Sequence, residues 1–177
     1  MSTLYLLIGG NQGDRQQMIS NATDLIQQNI GSVVACSNLY ETAPWGSFGE
    51  DDNTQNFYNQ ALKVDTTLTP LEALKEALDI ERMLGRQRVT PLDAPNPKGS
   101  ATQPVYHSRP IDIDLIFYDS LVIDIPGLTL PHPRMAHRRF VLTPICDIAP
   151  DFVHPILNKT CLQLLQECPD TSSCSCC

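Results

Sequence analysis

The stretch that most constrains this chain is Arg109-Pro110-Ile111-Asp112-Ile113-Asp114-Leu115-Ile116-Phe117-Tyr118. Its β-branched and apolar residues suit a strand, and a strand turns alternate side chains to opposite faces. Asp112 and Asp114 therefore share a face, with Cα atoms roughly 6.5 Å apart. Ile111, Ile113, Leu115 and Phe117 are expected on the other. Beyond Asp114 the carboxylate face turns apolar at Ile116, so the strand should be covered on both faces, with the aspartates where it emerges. Two like charges this close raise each other's pKa unless a cation lies between them. A hard divalent ion held by oxygens near substrate phosphates is the usual resolution. Asp-x-Asp is thus a candidate Mg²⁺ site, and Arg109 beside it suits an anionic substrate. In isolation, a strand end that is merely acidic is the plainer reading.

The rest of the chain supplies a frame for that strand. Leu4 to Ile8 reads as a buried first strand, ending in Gly9-Gly10-Asn11-Gln12-Gly13-Asp14. That turn lacks both the Gly-Lys-Ser/Thr ending of a phosphate-binding loop and the Gly-x-Gly-x-x-Gly spacing, so it is read as a tight strand-to-helix turn. Met18, Ile19, Ala22, Leu25, Ile26 and Ile30 recur at helical spacing up to a stop at Gly31. Val33 to Tyr40 reads as a second strand. A long loop from Glu41 comes next, carrying the single tryptophan, Trp45, and loops of that length are often binding loops or lids.

Phe57 to Asp65 alternates as a third strand, with Phe57, Asn59 and Ala61 on one face. Thr69-Pro70-Leu71-Glu72 is a capping box with Pro at the first helical position. Leu71, Leu74, Ala77, Leu78 and Leu84 then form an apolar stripe to Gly85, with Arg86 and Arg88 just past it. Residues 89–108 hold Pro91, Pro95, Pro97 and Pro104 and can hardly form a helix or central strand; a lid over a polyanion is the functional reading. The Asp-x-Asp strand is the next element and is expected to lie centrally, with Leu121–Ile125 as its hairpin partner. A histidine- and arginine-rich run to Phe140, a short helix from Thr143-Pro144 to Ala149, and a last helix from Thr160 to Glu167 complete the pass. The order is β-α-β-β-α-β. The expected fold class is α+β, a ferredoxin-like antiparallel sheet with both helices on one face, plus an added hairpin and C-terminal helices. Residues 1–168 are read as one domain, and 169–177 as a disordered Cys-rich tail.

Composition narrows the function. A net charge of −8 argues against a nucleic-acid partner. Yet seven of the eight arginines lie from Arg82 onward, most of them flanking the Asp-x-Asp strand in sequence, which suits a small polyanion such as a nucleotide. No basic leader and no apolar run of membrane-spanning length is seen, so a cytoplasmic protein is expected. The seven cysteines show no zinc-ligand spacing.

Taken together the motifs resemble a family, the 6-hydroxymethyl-7,8-dihydropterin pyrophosphokinases of folate synthesis. The likeness rests on Leu7-Ile-Gly-Gly-Asn11, Thr42-Ala-Pro-Trp-Gly46, Phe57-Tyr-Asn59, Glu81 to Arg88, Arg109-Pro-Ile-Asp112-Ile-Asp114, Leu130-Pro-His132 and Arg138-Arg-Phe140, all in order. The resemblance implies transfer of pyrophosphate from ATP, as co-substrate, to the pterin hydroxymethyl group, releasing AMP. It implies two Mg²⁺ ions on Asp112 and Asp114, and catalytic arginines at Arg86 and Arg88. It implies a pterin site of Thr42, Ala43, Pro44, Trp45, Phe57, Asn59 and Phe140, the two phenylalanines sandwiching the heterocycle. Glu81, Arg86, Arg109, Ile113, His132 and Arg138 would serve ATP. A monomer is expected. Arg139 stands where the family has a small residue, Pro133 where a tyrosine can contact ATP, and the segments around Trp45 and 89–108 are longer. Two other classes fit parts of the pattern. Another Mg-dependent Asp-x-Asp transferase shares the metal pair but leaves Phe57, Asn59 and Phe140 unexplained. A non-enzymatic ligand-binding domain has no need of paired aspartates.

Overall fold

The computed structural model describes residues 1–43, 55–86 and 109–177. Pro44, Trp45, Arg88 and the 89–108 segment lie outside them. Strand β1 (Ser2–Gly10) sits inside an antiparallel sheet. On one side it pairs with β4 (Phe57–Thr66), placing Leu6 opposite Leu62, and on the other with β5 (Asp112–Tyr118), placing Ile8 opposite Ile113. Far from lying centrally, β5 is therefore an edge strand of the described sheet. Its place is set by connectivity, because β1 is already flanked by β4 and the late strand can only add outside it. The His132 amide still donates to the Ile116 carbonyl at 3.0 Å, covering part of that edge.

The second strand is broken into β2 (Ser32–Cys36) and β3 (Tyr40–Thr42), both paired with β4. Ser37 makes the break: its amide donates to the Ala61 carbonyl and its hydroxyl accepts from the Ala61 amide, each at 2.9 Å. A side-chain oxygen thus replaces a ladder carbonyl and lets the chain bend.

Alternation along β1 divides the molecule into two layers. Leu4, Leu6 and Ile8 pack with Ile19, Ala22 and Ile26 of α1 (Arg15–Asn29) and Ala73, Ala77 and Ile80 of α2 (Pro70–Met83). Tyr5 and Leu7 face Val141, Leu142 and Ile145 of α3 (Arg139–Ile148) and Leu164 of α4 (Cys161–Glu167). Within α2 the buried face runs through Ala73 and Ala77, small enough for close approach to the sheet, and Leu71 is exposed rather than part of it. Helix α3 starts at Arg139, ahead of the expected Thr143, so Pro144 falls inside it. An interior proline costs about 3 kcal/mol; burying Val141, Leu142 and Ile145 at about 1.5–3 kcal/mol each outweighs it.

Three further differences concern β5 and the chain beyond it. A bulge at Ile116 sets Leu115 opposite Leu6 but Phe117 opposite Tyr5. The extra residue reverses the alternation, so Phe117 joins the α3 layer, against Phe152 at 4.5 Å between ring centroids. Tyr118 takes the other face, its hydroxyl donating to the Leu68 carbonyl at 2.6 Å. The expected hairpin forms, but between β6 (Ile123–Ile125) and β7 (Leu128–Leu130) around Gly127 at φ +87°, not with β5. The 169–177 tail is ordered in part: β8 (Cys174–Cys176) pairs with β3, because β3 offers an otherwise open edge. Among the described residues no helix is long and apolar enough to cross a membrane.

Candidate active site

Where β1, β4 and β5 run out beyond the first turn of α3, their α3-facing side chains line an open cavity of about 290 Å³. Parity alone chooses them: Leu7 and Gly9 from β1, Phe57 and Asn59 from β4, Asp112 and Asp114 from β5. Helix α3 contributes Phe140, preceded by the buried Arg138, whose guanidinium carbon lies 5.6 Å from the Phe140 ring centroid. Thr42 and Ala43 close the β3 side, and Arg86, Arg109, His132 and Arg134 the β5 side.

The first half of the cavity is neutral. Asn59 is buried and its amide nitrogen donates to the Thr42 hydroxyl at 2.8 Å. Gly9 makes room for that amide: a Cβ there would stand 2.4 Å from Asn59 Oδ1. Gly10 is required in the same way, since its Cβ would meet the Pro110 carbonyl oxygen at 2.2 Å. This close approach lets Asn11 grip Arg109 by two bonds, Asn11 N–H to the Arg109 carbonyl at 3.1 Å and Arg109 N–H to Asn11 Oδ1 at 2.9 Å.

The second half is charged. Asp112 accepts from Arg86 on one oxygen and from Arg109 on the other, the latter at 3.0 Å. Arg86 also pairs with Glu81 at 2.7 Å. Burial works against the Arg86 charge, but Asp112 and Glu81 prevail and its pKa is raised. Glu81, the buried acid near the end of α2, does not line the cavity; its carboxylate accepts from the Ile113 amide at 2.8 Å and so locks α2 to β5. Ile113 itself points away, into the α1/α2 layer. No hydrogen-bond donor among the described residues reaches Asp114, and its pKa is raised, first by burial and then by Asp112. His132 is pushed down to about 4 by burial and by the Arg138 and Arg134 charges. Its ring is therefore neutral at pH 7, and Nδ1 accepts from the Arg134 amide at 3.3 Å, which leaves the N–H on Nε2.

A cavity with a neutral amide end and an end of arginines around paired carboxylates can bind a polar heterocycle beside polyphosphate. The profile of the family described as 7,8-dihydro-6-hydroxymethylpterin-pyrophosphokinase matches residues 5–150. The chain belongs to this family. It is 35% identical over 156 residues to the 2-amino-4-hydroxy-6-hydroxymethyldihydropteridine pyrophosphokinase of Porphyromonas gingivalis, covering 88% of this chain and 95% of that one. The enzyme of the same name from Methylorubrum extorquens is 36% identical over 154 residues, 86% of each chain. Among solved structures, Plasmodium falciparum HPPK-DHPS with pteroate superposes at a TM-score of 0.70 with 17% identity, over 94% of this chain and 44% of that one. This chain spans less than half of that protein, and the likeness is one of fold.

Of the residues the family resemblance singles out, Thr42, Ala43, Phe57, Asn59, Arg86, Arg109, Asp112, Asp114, His132, Arg138 and Phe140 come together around this family member's cavity. Glu81 and Ile113 sit behind it. Pro44, Trp45 and Arg88 lie outside the described residues. Gly9 and Arg134 line the cavity without having been singled out as site residues. Gly9 was findable: it stands two residues past Leu7 on β1, and strand parity sends both to one face.

Proposed function

We propose that this chain transfers pyrophosphate from ATP to the hydroxymethyl group of 6-hydroxymethyl-7,8-dihydropterin, releasing AMP, the step its family is named for in folate synthesis. The observation that carries the reading is the division of one cavity into an Asn59–Thr42 end and an Asp112/Asp114 end ringed by arginines. Asn59 supplies both a donor and an acceptor to a pterin edge, and Phe57 and Phe140 present ring faces to the heterocycle. Arg86, Arg109, Arg134 and Arg138 bind phosphate oxygens, which guanidinium groups do in bidentate fashion. Arg88, Pro44 and Trp45 are assigned to the same site from sequence. His132, neutral and with its proton on Nε2, offers ATP an uncharged donor.

The paired aspartates fit Mg²⁺. Asp114 is a half-buried carboxylate without a donor among the described residues; burial first and then the neighbouring Asp112 charge raise its pKa, and a bound cation would offset both. Among the described residues no cluster of three or more His, Cys, Asp or Glu is arranged to hold an ion by itself. Two protein carboxylates completed by phosphate and water is the usual Mg²⁺ arrangement. When bound, the metal would neutralise phosphate charge and polarise the transferred group. Arg86 and Arg109 hold Asp112, and a triphosphate would share those guanidiniums with the carboxylate. Positioning and charge neutralisation are most of what phosphoryl transfer demands. The sheet order β5-β1-β4 with β2 and β3 beyond, and α1 and α2 on one face, supports reading the core as the split βαβ, ferredoxin-like pattern.

The deciding experiment is AMP release from ATP and Mg²⁺ with and without the pterin. Pterin-dependent AMP is expected. Pyrophosphate in place of AMP would overturn the reading in favour of nucleotidyl transfer, and tight ATP binding in EDTA would remove the metal from it.

A further inference from the structure

We propose that residues 170–176 act as a brace that sets the width of the pterin half of the cavity, with Asp170 as its positioning residue. The inference rests on the pterin reading above. This segment lies outside the part of the chain that matches the family profile, residues 5–150, yet it touches both walls of the neutral half of the cavity.

The first wall is the opening turn of α3. Its N-cap residue, Arg138, makes no side-chain capping bond, and an arginine has no acceptor to offer. The cap comes from elsewhere: Asp170 Oδ2 accepts from the Arg139 amide at 2.9 Å, from 31 residues away in the chain. The other carboxylate oxygen is held by the Ser172 amide at 2.9 Å and by the Ser172 hydroxyl, so the carboxylate is oriented before it meets the helix. The amide it holds lies between Arg138 and Phe140, both of which line the cavity.

The second wall is β3. Four residues after Asp170, β8 begins, pairing Cys174 with Thr42 and Cys176 with Tyr40. The Cys177 amide adds a bond to the Leu39 carbonyl at 2.8 Å. On its other edge β3 pairs with β4, setting Tyr40 opposite Asn59 and Thr42 opposite Phe57. At its far end α3 is already tied to this wall, because Asp147 accepts from the Tyr40 hydroxyl at 2.9 Å and from the Asn38 amide at 3.0 Å. The 170–176 segment ties the near end. With both ends fixed, Phe140 is held at a set distance from Thr42 and Asn59. With the near end released, the first turn of α3 is free to fray away from them.

Steady-state kinetics and equilibrium pterin binding should be measured on the full chain, on Asp170→Ala, on Asp170→Asn, and on a chain stopped after Pro169. Asp170→Ala is expected to raise KM and Kd for the pterin about fivefold, the equivalent of a lost cap. Its effect on kcat and on KM for ATP should be within about twofold. Asn also accepts from a helix amide, so Asp170→Asn should stay near the full chain. The stopped chain should exceed Asp170→Ala in its pterin defect. Unchanged pterin Kd in Asp170→Ala, or equal losses in the Ala and Asn variants, overturns the brace, whether or not the melting temperature falls. Should the stopped chain fail to fold, the Ala–Asn comparison decides alone. Failure of the full chain to make AMP would refute the pyrophosphokinase reading instead, with pterin binding still deciding the brace.

Discussion

Asp114 is unfavourable for the fold, and the proposed function makes it a metal ligand. It is held half-buried, without a donor among the described residues, beside Asp112. A charge in such a place destabilises the folded chain. Asp114→Asn keeps the shape and removes the charge, so its melting temperature should equal or exceed that of the parent. Its turnover should fall by about 100-fold or more, roughly 2.7 kcal/mol of transition-state stabilisation. A variant with full turnover would refute the metal role; one that no longer folds would refute the account of its burial. Gly9 makes the opposite point, that an absent atom can be functional. Gly9→Ala places a methyl 2.4 Å from Asn59 Oδ1 and 3.0 Å from the Tyr58 carbonyl oxygen. The amide must turn, so KM for the pterin should rise about tenfold, the value of one well-made hydrogen bond, with KM for ATP unchanged. Equal rises in both constants would place Gly9 in the general fold instead.

Among the elements, α2 separates stability from function along its own length. Its start is secured by a complete capping box, with the Glu72 carboxylate accepting from the Thr69 amide at 2.8 Å. Its end delivers Glu81 to the Ile113 amide and Arg86 to Asp112. Thr69→Ala should cost about 1 kcal/mol in urea denaturation and leave kcat within about twofold, because the last turn is held by Glu81 rather than by the cap. A larger loss of activity than of stability would show the two ends to be coupled. Strand β5 behaves differently: its Ile116 bulge lets its first half present carboxylates to the cavity while its second half packs Ile116 and Phe117 into the same layer.

For the whole molecule the governing fact is a charge of −8 alongside a cavity rimmed by Arg86, Arg109, Arg134 and Arg138. On the proposed function, polyphosphate binding is expected to be local and to depend on a metal ion that offsets the carboxylates. A ligand that binds only the folded state stabilises it by mass action, about 2.7 kcal/mol at a concentration 100 times Kd. Thermal unfolding should accordingly shift upward with ATP and Mg²⁺ together, and the shift should vanish in EDTA. Persistence of the shift in EDTA would mean that the arginines alone bind the nucleotide.

The sequence by itself determined the order of the six core elements, the face shared by Asp112 and Asp114, the face shared by Phe57 and Asn59, the capping of α2, and the family. These are local matters, decided by a period of 2 or 3.6, by cap chemistry or by a short motif, all of which survive reading along one chain. What only the tertiary structure decided depends on groups distant in the chain. The edge position of β5 is set by which neighbours β1 already has. The reversal at Phe117 comes from a bulge that no residue type announces. The early start of α3 at Arg139 is fixed by a cap from Asp170, and the strand in the cysteine tail by the open edge of β3. A hydrogen bond between residues 31 positions apart leaves no periodic trace in the sequence, because either partner would be equally at home on a solvated surface.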